Sequence, residues 1–170
     1  MEYRIIEIID EVDKSGYADL ILRKLPEWFG NETALENYIN TVSEYPFWAA
    51  FDGAKCIGFF SGKIHYNRTG DIYVCGIDPE YHRKRIGTIL YNELEKYCVK
   101  NGCEYLIVQT LSETVQYEPY LRTIKFYKKL GFKELISFRE YWDKENPLLI
   151  MIKNLDPAVS YNDIAGNITD

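Results

Sequence analysis

Residues 70–110, GDIYVCGIDPEYHRKRIGTILYNELEKYCVKNGCEYLIVQT, decide the fold. The stretch begins as a strand, GDIYVCGIDPEY. Its internal Gly76 predicts a bulge or a close backbone approach. A helix follows, with Ile86, Ile89, Leu90, Leu94, Tyr97 and Cys98 at helical spacing and Asn101-Gly102 closing it. EYLIVQT is then a short, continuously apolar run, the pattern of a strand buried on both faces. Strand, helix, strand makes a right-handed βαβ unit whose two strands run parallel in one sheet.

Between strand and helix stands YHRKRIG. Cations are unfavourable at a helix start, where unpaired N–H groups and the dipole already carry positive charge. Arg83, Lys84 and Arg85 form either a solvated charged turn or an anion site. A bound pyrophosphate would turn their electrostatic cost into a gain, and a turn that follows a glycine-containing strand and opens a βαβ unit favours that reading. Gly87 would let the backbone come close to the pyrophosphate. The turn is neither a G-K-[ST] phosphate loop nor a G-x-G-x-x-G dinucleotide turn.

Working outward, YRIIEII opens the chain as a strand. DEVDKSGYADLILRKL and ETALENYINTVSEY are helices, the first ended by Pro26 and the second with Leu35, Tyr38, Ile39 and Val42 on one stripe. The loop PEWFGN between them carries aromatic residues that look exposed. FWAAFDGAKCIGFFSGKIHY is a hairpin turned at Asp52-Gly53. EPYLRTIKFYKKLGF is a last helix, with Pro119 in its first turn and Gly131 as its cap. The strands ELISFREYW and PLLIMIKNL follow. Period is lost after Leu155. The expectation is one domain over 1–155 and a tail over 156–170.

The bulk numbers restrict function. The chain has 170 residues and a net charge of −6, which argues against a general nucleic-acid binder. The opening MEYRIIEIIDEVDK breaks its apolar run with charges, unlike a secretory leader, and no apolar stretch approaches the ~20 residues of a membrane span. The expected location is the cytoplasm. Four cysteines without a C-x-x-C pair and only two histidines predict reduced, packed thiols and no metal site.

VCGIDPEYHRKRIGTILYNELEKYCVKNG resembles the acetyl-CoA-binding motif of the GNAT superfamily of N-acetyltransferases, Q/R-x-x-G-x-G/A. His82 stands at the Gln/Arg position, Arg85 at the first glycine and Gly87 at the second; Ile86 and Thr88 match residues usual in such turns. IKFYKKLGF resembles the second signature of that superfamily, an aromatic pair before a Gly-Phe. The resemblance implies an α/β fold of GNAT type, a central mixed sheet of about seven strands flanked by about four helices. It also implies acetyl-CoA as co-substrate, with no metal. The pantetheine arm would lie along Tyr73–Ile77, where Cys75 and Ile77 supply backbone, and Gly76 would be the bulge. Arg85, in the first helical turn, is expected to have helical φ.

On the same resemblance, an amine attacks the thioester directly in a ternary complex, and Tyr127 is the general acid. Tyr127 also lies on one stripe with Tyr120 and Ile124, the pattern of a core residue. The base stays open among Glu32, Asp71, Glu80, Glu113 and Glu118, or a water chain. Cys75 reads as a packed strand thiol rather than an acyl carrier. Trp28, Phe29, Tyr117 and Tyr120 are expected to wall the acceptor, with Glu32 or Glu118 meeting a cationic small-molecule or peptide amine. The competing function is an acyl-CoA sensor without turnover. The apolar C-terminal strands suggest a homodimer.

Overall fold

Short-range chemistry starts each helix. Asp10 accepts the Asp13 N–H at 2.9 Å and opens α1 (Glu11–Leu22); Asn31 accepts the Ala34 N–H at 3.0 Å and opens α2 (Glu32–Thr41). Helix α3 (Ile86–Lys100) ends where Gly102 takes φ +77, and α4 (Glu118–Lys129) where Gly131 takes φ +95. The computed structural model describes residues 3–143 and 145–155. The expected tail over 156–170 lies outside the described residues.

The strands are β1 (Arg4–Glu7), β2 (Phe47–Asp52), β3 (Lys55–His65), β4 (Thr69–Ile77), β5 (Tyr105–Leu111), β6 (Lys133–Asp143) and β7 (Asn146–Asn154). They form one sheet in the order β1-β2-β3-β4-β5-β7-β6. Every neighbouring pair is antiparallel except β4 and β5, which run parallel and directly adjacent. Among the described residues this is the mixed sheet of seven strands with four α-helices that the resemblance implies. No described helix is long and apolar enough to cross a membrane.

Two cores flank the sheet. On one face Leu90, Leu94 and Cys98 of α3 and Ile124 and Tyr127 of α4 bury against Phe60, Leu106 and Met151. On the other, Ile21, Leu22 and Leu35 cover Phe47 and Phe59, whose rings stack at 4.7 Å. Each such side chain contributes about 1.5–3 kcal/mol by leaving water. The second core draws on β2, β3 and β4 but not on β5. Strand β5 is therefore not buried on both faces as its composition suggests: Leu106 and Val108 are buried, Ile107 is half-buried and Gln109 is exposed. The edge strand β6 exposes Leu135, Ile136, Phe138 and Tyr141.

The sheet comes apart at one place. β4 and β5 pair from Thr69↔Tyr105 to Ile72↔Val108 and then diverge. On the other side of β4, Ser61 faces Val74 while Gly62 faces Ile72, so Tyr73 is the extra residue of a bulge. The bulge is thus at Tyr73 and not at Gly76, which stays in register opposite Phe59. Gly76 serves packing: a Cβ there would lie 2.8 Å from Leu25 Cδ1 and 2.9 Å from Ile21 Cγ2.

Candidate active site

The gap between β4 and β5 is lined by main chain. The Asp78 N–H donates to Ile57 O at 2.9 Å. Groups alternate along an antiparallel ladder, so Gly76 and Val74 also face β3 while Cys75 and Ile77 turn their N–H and C=O toward the gap. The Ile77 carbonyl accepts from His82 Nε2 at 2.8 Å. Across the gap, Thr110 follows the last β4–β5 pair and shares the face of Leu106 and Val108 by alternation. Its Oγ1 is buried and has no hydrogen-bond partner among the described residues. An unmet buried hydroxyl costs about 1–3 kcal/mol.

Tyr127 closes the gap from α4. Its hydroxyl lies 3.6 Å from Cys75 Sγ, and only 4 % of the residue is exposed. Phe126 and Phe132 hold its ring at centroid distances of 5.4 and 5.6 Å. Burial, and then Cys75, push the phenol well above the usual tyrosine range; burial also pushes the Cys75 thiol up to about 11. Tyr127 is therefore a neutral phenol at neutral pH, and Cys75 is a thiol and a poor nucleophile.

The basic turn lies at the open end of β4. Asp78 is 2 % exposed; it accepts the Glu80 N–H at 3.1 Å and pairs with Lys24 at 2.7 Å and Lys55 at 3.4 Å. The Tyr81 hydroxyl donates to Asp52 at 2.9 Å, and Lys84 Nζ sits 4.6 Å over the Tyr81 ring. With the turn anchored there, Arg83 and Arg85 take φ +61 and +63. The helical φ expected for Arg85 is thus incorrect: it caps α3 from the left-handed region. Arg83, Lys84 and Arg85 are all exposed. No side chain caps α3, and its first turn contains no acid. A Cβ on Gly87 would lie 3.2 Å from Phe126 Cζ, so glycine lets the first turn of α3 pack against α4. Ile86 is buried beneath the turn, and Thr88 is half-buried.

Aromatic residues link the basic turn, α4 and the bulge residue Tyr73. Trp28 and Phe29 are half-buried rather than exposed. Trp28 Nε1 donates to Thr123 Oγ1 at 3.0 Å, and its carbonyl accepts from the Tyr120 hydroxyl at 3.0 Å. The Trp28 ring meets His82 edge-on at 6.2 Å. Phe29 contacts Tyr38 at 5.9 Å, and Tyr38 contacts Tyr73 at 5.5 Å. Tyr117 is exposed and lies 6.1 Å from Tyr120.

The five acids separate by environment. Glu32 is exposed and bonded to Arg23 at 2.9 Å; Glu80 is exposed and bonded to Lys55 at 3.0 Å. Glu113 and Glu118 are exposed. Asp71 is 5 % exposed and lies 2.9 Å from His65 Nε2. Burial raises its pKa, against the opposing pull of His65 and Lys63. Lys63, His65 and Thr110 are not among the residues expected at the site, and Tyr38 is expected only as part of the apolar stripe of α2. Alternation along β3 and β4 was the available signal for Lys63, since it faces Asp71 across the hairpin. No group of three or more His, Cys, Asp or Glu suited to a metal occurs among the described residues.

Residues 14–132 match the model of the acetyltransferase (GNAT) family. The chain belongs to the GNAT family of acetyltransferases. In this GNAT chain Arg85 stands where the family motif has glycine, yet it keeps the left-handed backbone that glycine adopts without strain. Solved structures share the fold. The ribosomal-protein-S18-alanine N-acetyltransferase from Escherichia coli has a TM-score of 0.70 at 18 % identity, over 94 % of this chain and 99 % of its own. The aminoglycoside 6'-N-acetyltransferase from Enterococcus faecium has a TM-score of 0.67 at 22 % identity, over 94 % and 100 %. An aminoglycoside 6'-N-acetyltransferase complexed with coenzyme A has a TM-score of 0.66 at 22 % identity, over 94 % and 100 %. No curated protein matches the chain in sequence.

Proposed function

We propose that the protein transfers an acetyl group from acetyl-CoA to a primary amine, by direct attack in a ternary complex. The observation that carries this reading is the gap opening after Ile72↔Val108, with a buried, protonated Tyr127 hydroxyl at its wall.

The residues present suit the co-substrate. The gap-facing main chain of Cys75 and Ile77 offers a strand edge for the amides of a pantetheine arm, and Thr110 has an unmet hydroxyl beside it. His82, Arg83, Lys84, Arg85, Ile86, Gly87 and Thr88 would hold the pyrophosphate at an uncapped, acid-free helix start. Acetyl-CoA, when bound, supplies the activated acyl group and a thiolate as leaving group.

The chain's own groups handle the protons. Tyr127 holds one at its hydroxyl for the leaving thiolate. The acceptor would enter past Trp28, Phe29, Tyr117 and Tyr120. Of the five acids, Asp71 is the best base: it is buried, its pKa is raised toward the range useful for proton transfer, and His65 reaches from it to solvent. Glu32, already engaged by Arg23, and exposed Glu118 suit the rim better than the chemistry.

A panel of primary amines with acetyl-CoA, read by release of free thiol, tests the proposal. Tyr127→Phe should lower kcat by ~10²-fold or more and leave coenzyme A affinity nearly intact. Full activity in the folded variant would end the acid role. Acetyl-CoA binding without turnover on any amine would make the protein a sensor instead.

A further inference from the structure

Lys63 is a cation beside the gap that the proposed chemistry does not use. It lies on β3 opposite Asp71 of β4, and its ammonium sits over the ring of Tyr73, the bulge residue, at 4.1 Å. The Tyr45 ring takes it from a second side at 5.0 Å. The two rings lie 4.6 Å apart and are tilted by 59°. Tyr73 is itself fixed, by a hydrogen bond between its hydroxyl and Thr41 Oγ1 and by the edge of Tyr38. The ammonium is therefore held in place at the point where β4 leaves β5.

No described protein group takes its N–H donors there. Lys63 is half-buried, yet none of its three N–H donors reaches a hydrogen-bond acceptor or a carboxylate among the described residues. Asp71, directly across the hairpin, turns Oδ2 to His65 instead. Ring faces hold a cation but leave its N–H donors unpaired. A fixed ammonium with open donors beside a reaction gap has the character of an anion-binding group. It also repels a second positive charge on an incoming amine.

We infer that Lys63 is a specificity determinant that binds a carboxylate of the acceptor, so that the amine acetylated here is an amino acid or a similar carboxylated amine and not a polycation. The inference rests on the amine-acetyltransferase reading above. Asp71 and Lys63, opposite in sign and neighbours across β3 and β4, would then meet the ammonium and carboxylate ends of one zwitterion.

Two measurements test it. The first compares kcat/KM on amino acids and on their C-terminal amides. The wild type should favour the free acids by about tenfold or more, the scale of one charge-assisted hydrogen bond. In Lys63→Met, which keeps an unbranched stem between the tyrosines, that ratio should fall toward one; in Lys63→Arg it should persist. A wild-type preference for amides or polyamines, or an equal loss on acids and amides in Lys63→Met, would overturn the inference, the latter leaving Lys63 a structural partner of Asp71. The second measurement needs no turnover: calorimetry of N-acetyl amino acids and N-acetyl amino acid amides in the presence of coenzyme A. Acids should bind at least tenfold tighter, and Lys63→Met should erase the difference. Selective binding of acids with no turnover would sink the enzyme reading alone. Equal binding of acids and amides would sink this one.

Discussion

Replacing Arg85 by glycine should move stability and ligand affinity in opposite directions. Arg85 sits at φ +63, ψ +4. The left-handed region costs an L-residue about 1–2 kcal/mol. Glycine removes that cost but returns about 0.5–1 kcal/mol through the freedom of its unfolded chain. The exposed side chain contributes little packing, and taking a cation from the positive end of α3 is slightly favourable. The net gain lies between about 0 and 1.5 kcal/mol, centred on about 0.75 kcal/mol. A chain of 170 residues shifts by roughly 2–4 °C per kcal/mol, so the free variant should melt up to about 6 °C higher, with about 2–3 °C expected. Coenzyme A should tell the reverse story. One lost charge-assisted contact is worth about 1.5–3 kcal/mol, or a Kd about 10–100-fold weaker. At a ligand concentration of 100 times the wild-type Kd, ligand stabilisation of about 2.7 kcal/mol should fall to about 0.4–1.4 kcal/mol. Thermal melts with and without coenzyme A read both numbers. A free variant that melts lower, or an undiminished ligand shift, would refute the account of the turn.

Gly87→Glu places a Cβ 3.2 Å from Phe126 Cζ and a carboxylate at the start of α3, so it should abolish the thermal shift given by coenzyme A; a retained shift would put the ligand elsewhere. Asp78 gives a pH signature. Burial raises its pKa, but Lys24, the Glu80 N–H and Lys55 outweigh that and leave it lowered. Its contribution to stability is therefore present above the unfolded carboxylate value of ~3.9 and lost as pH falls through its lower folded value. Asp78→Asn should melt below wild type at pH 7 and converge with it near pH 2; curves displaced equally at both pH values would count against the pairing. The apolar residues exposed on β6 lead us to propose a homodimer, and light scattering at micromolar concentration should give twice the 20.0 kDa chain mass, while the single mass rules it out.

Local chemistry carried most of the fold into view. The Asp52-Gly53 turn, the caps around Asn101-Gly102 and Gly131, and the helical spacing from Ile86 to Cys98 are readable because neighbours in sequence decide them. The basic turn and Tyr127 were legible as motif positions. What could not be read was set by distant partners. The bulge lies at Tyr73 because of how β4 meets the Ser61–Gly62 step of β3, and a glycine three residues on was a plausible decoy. The φ of Arg85 is imposed on a turn anchored by Asp78 and Tyr81 against the preference of its residue type. EYLIVQT has the composition of a strand covered twice, but the core beneath α1 and α2 takes no residue from β5. Cys75 and Tyr127, 52 positions apart, meet only in the folded chain.

The loop between α1 and α2 has a thermodynamic consequence. Through Trp28 it touches His82 at the basic turn and, at the same time, Thr123 and the Tyr120 hydroxyl on α4. A ligand that shifts the loop at one of these ends changes what the other ligand meets. Linkage is reciprocal: whatever factor the donor applies to acceptor affinity, the acceptor applies to donor affinity. With the donor at the basic turn and the acceptor beside α4, as proposed, this one residue would couple the two binding equilibria, and the sign of the coupling would depend on whether the first ligand tightens or loosens its grip on Thr123.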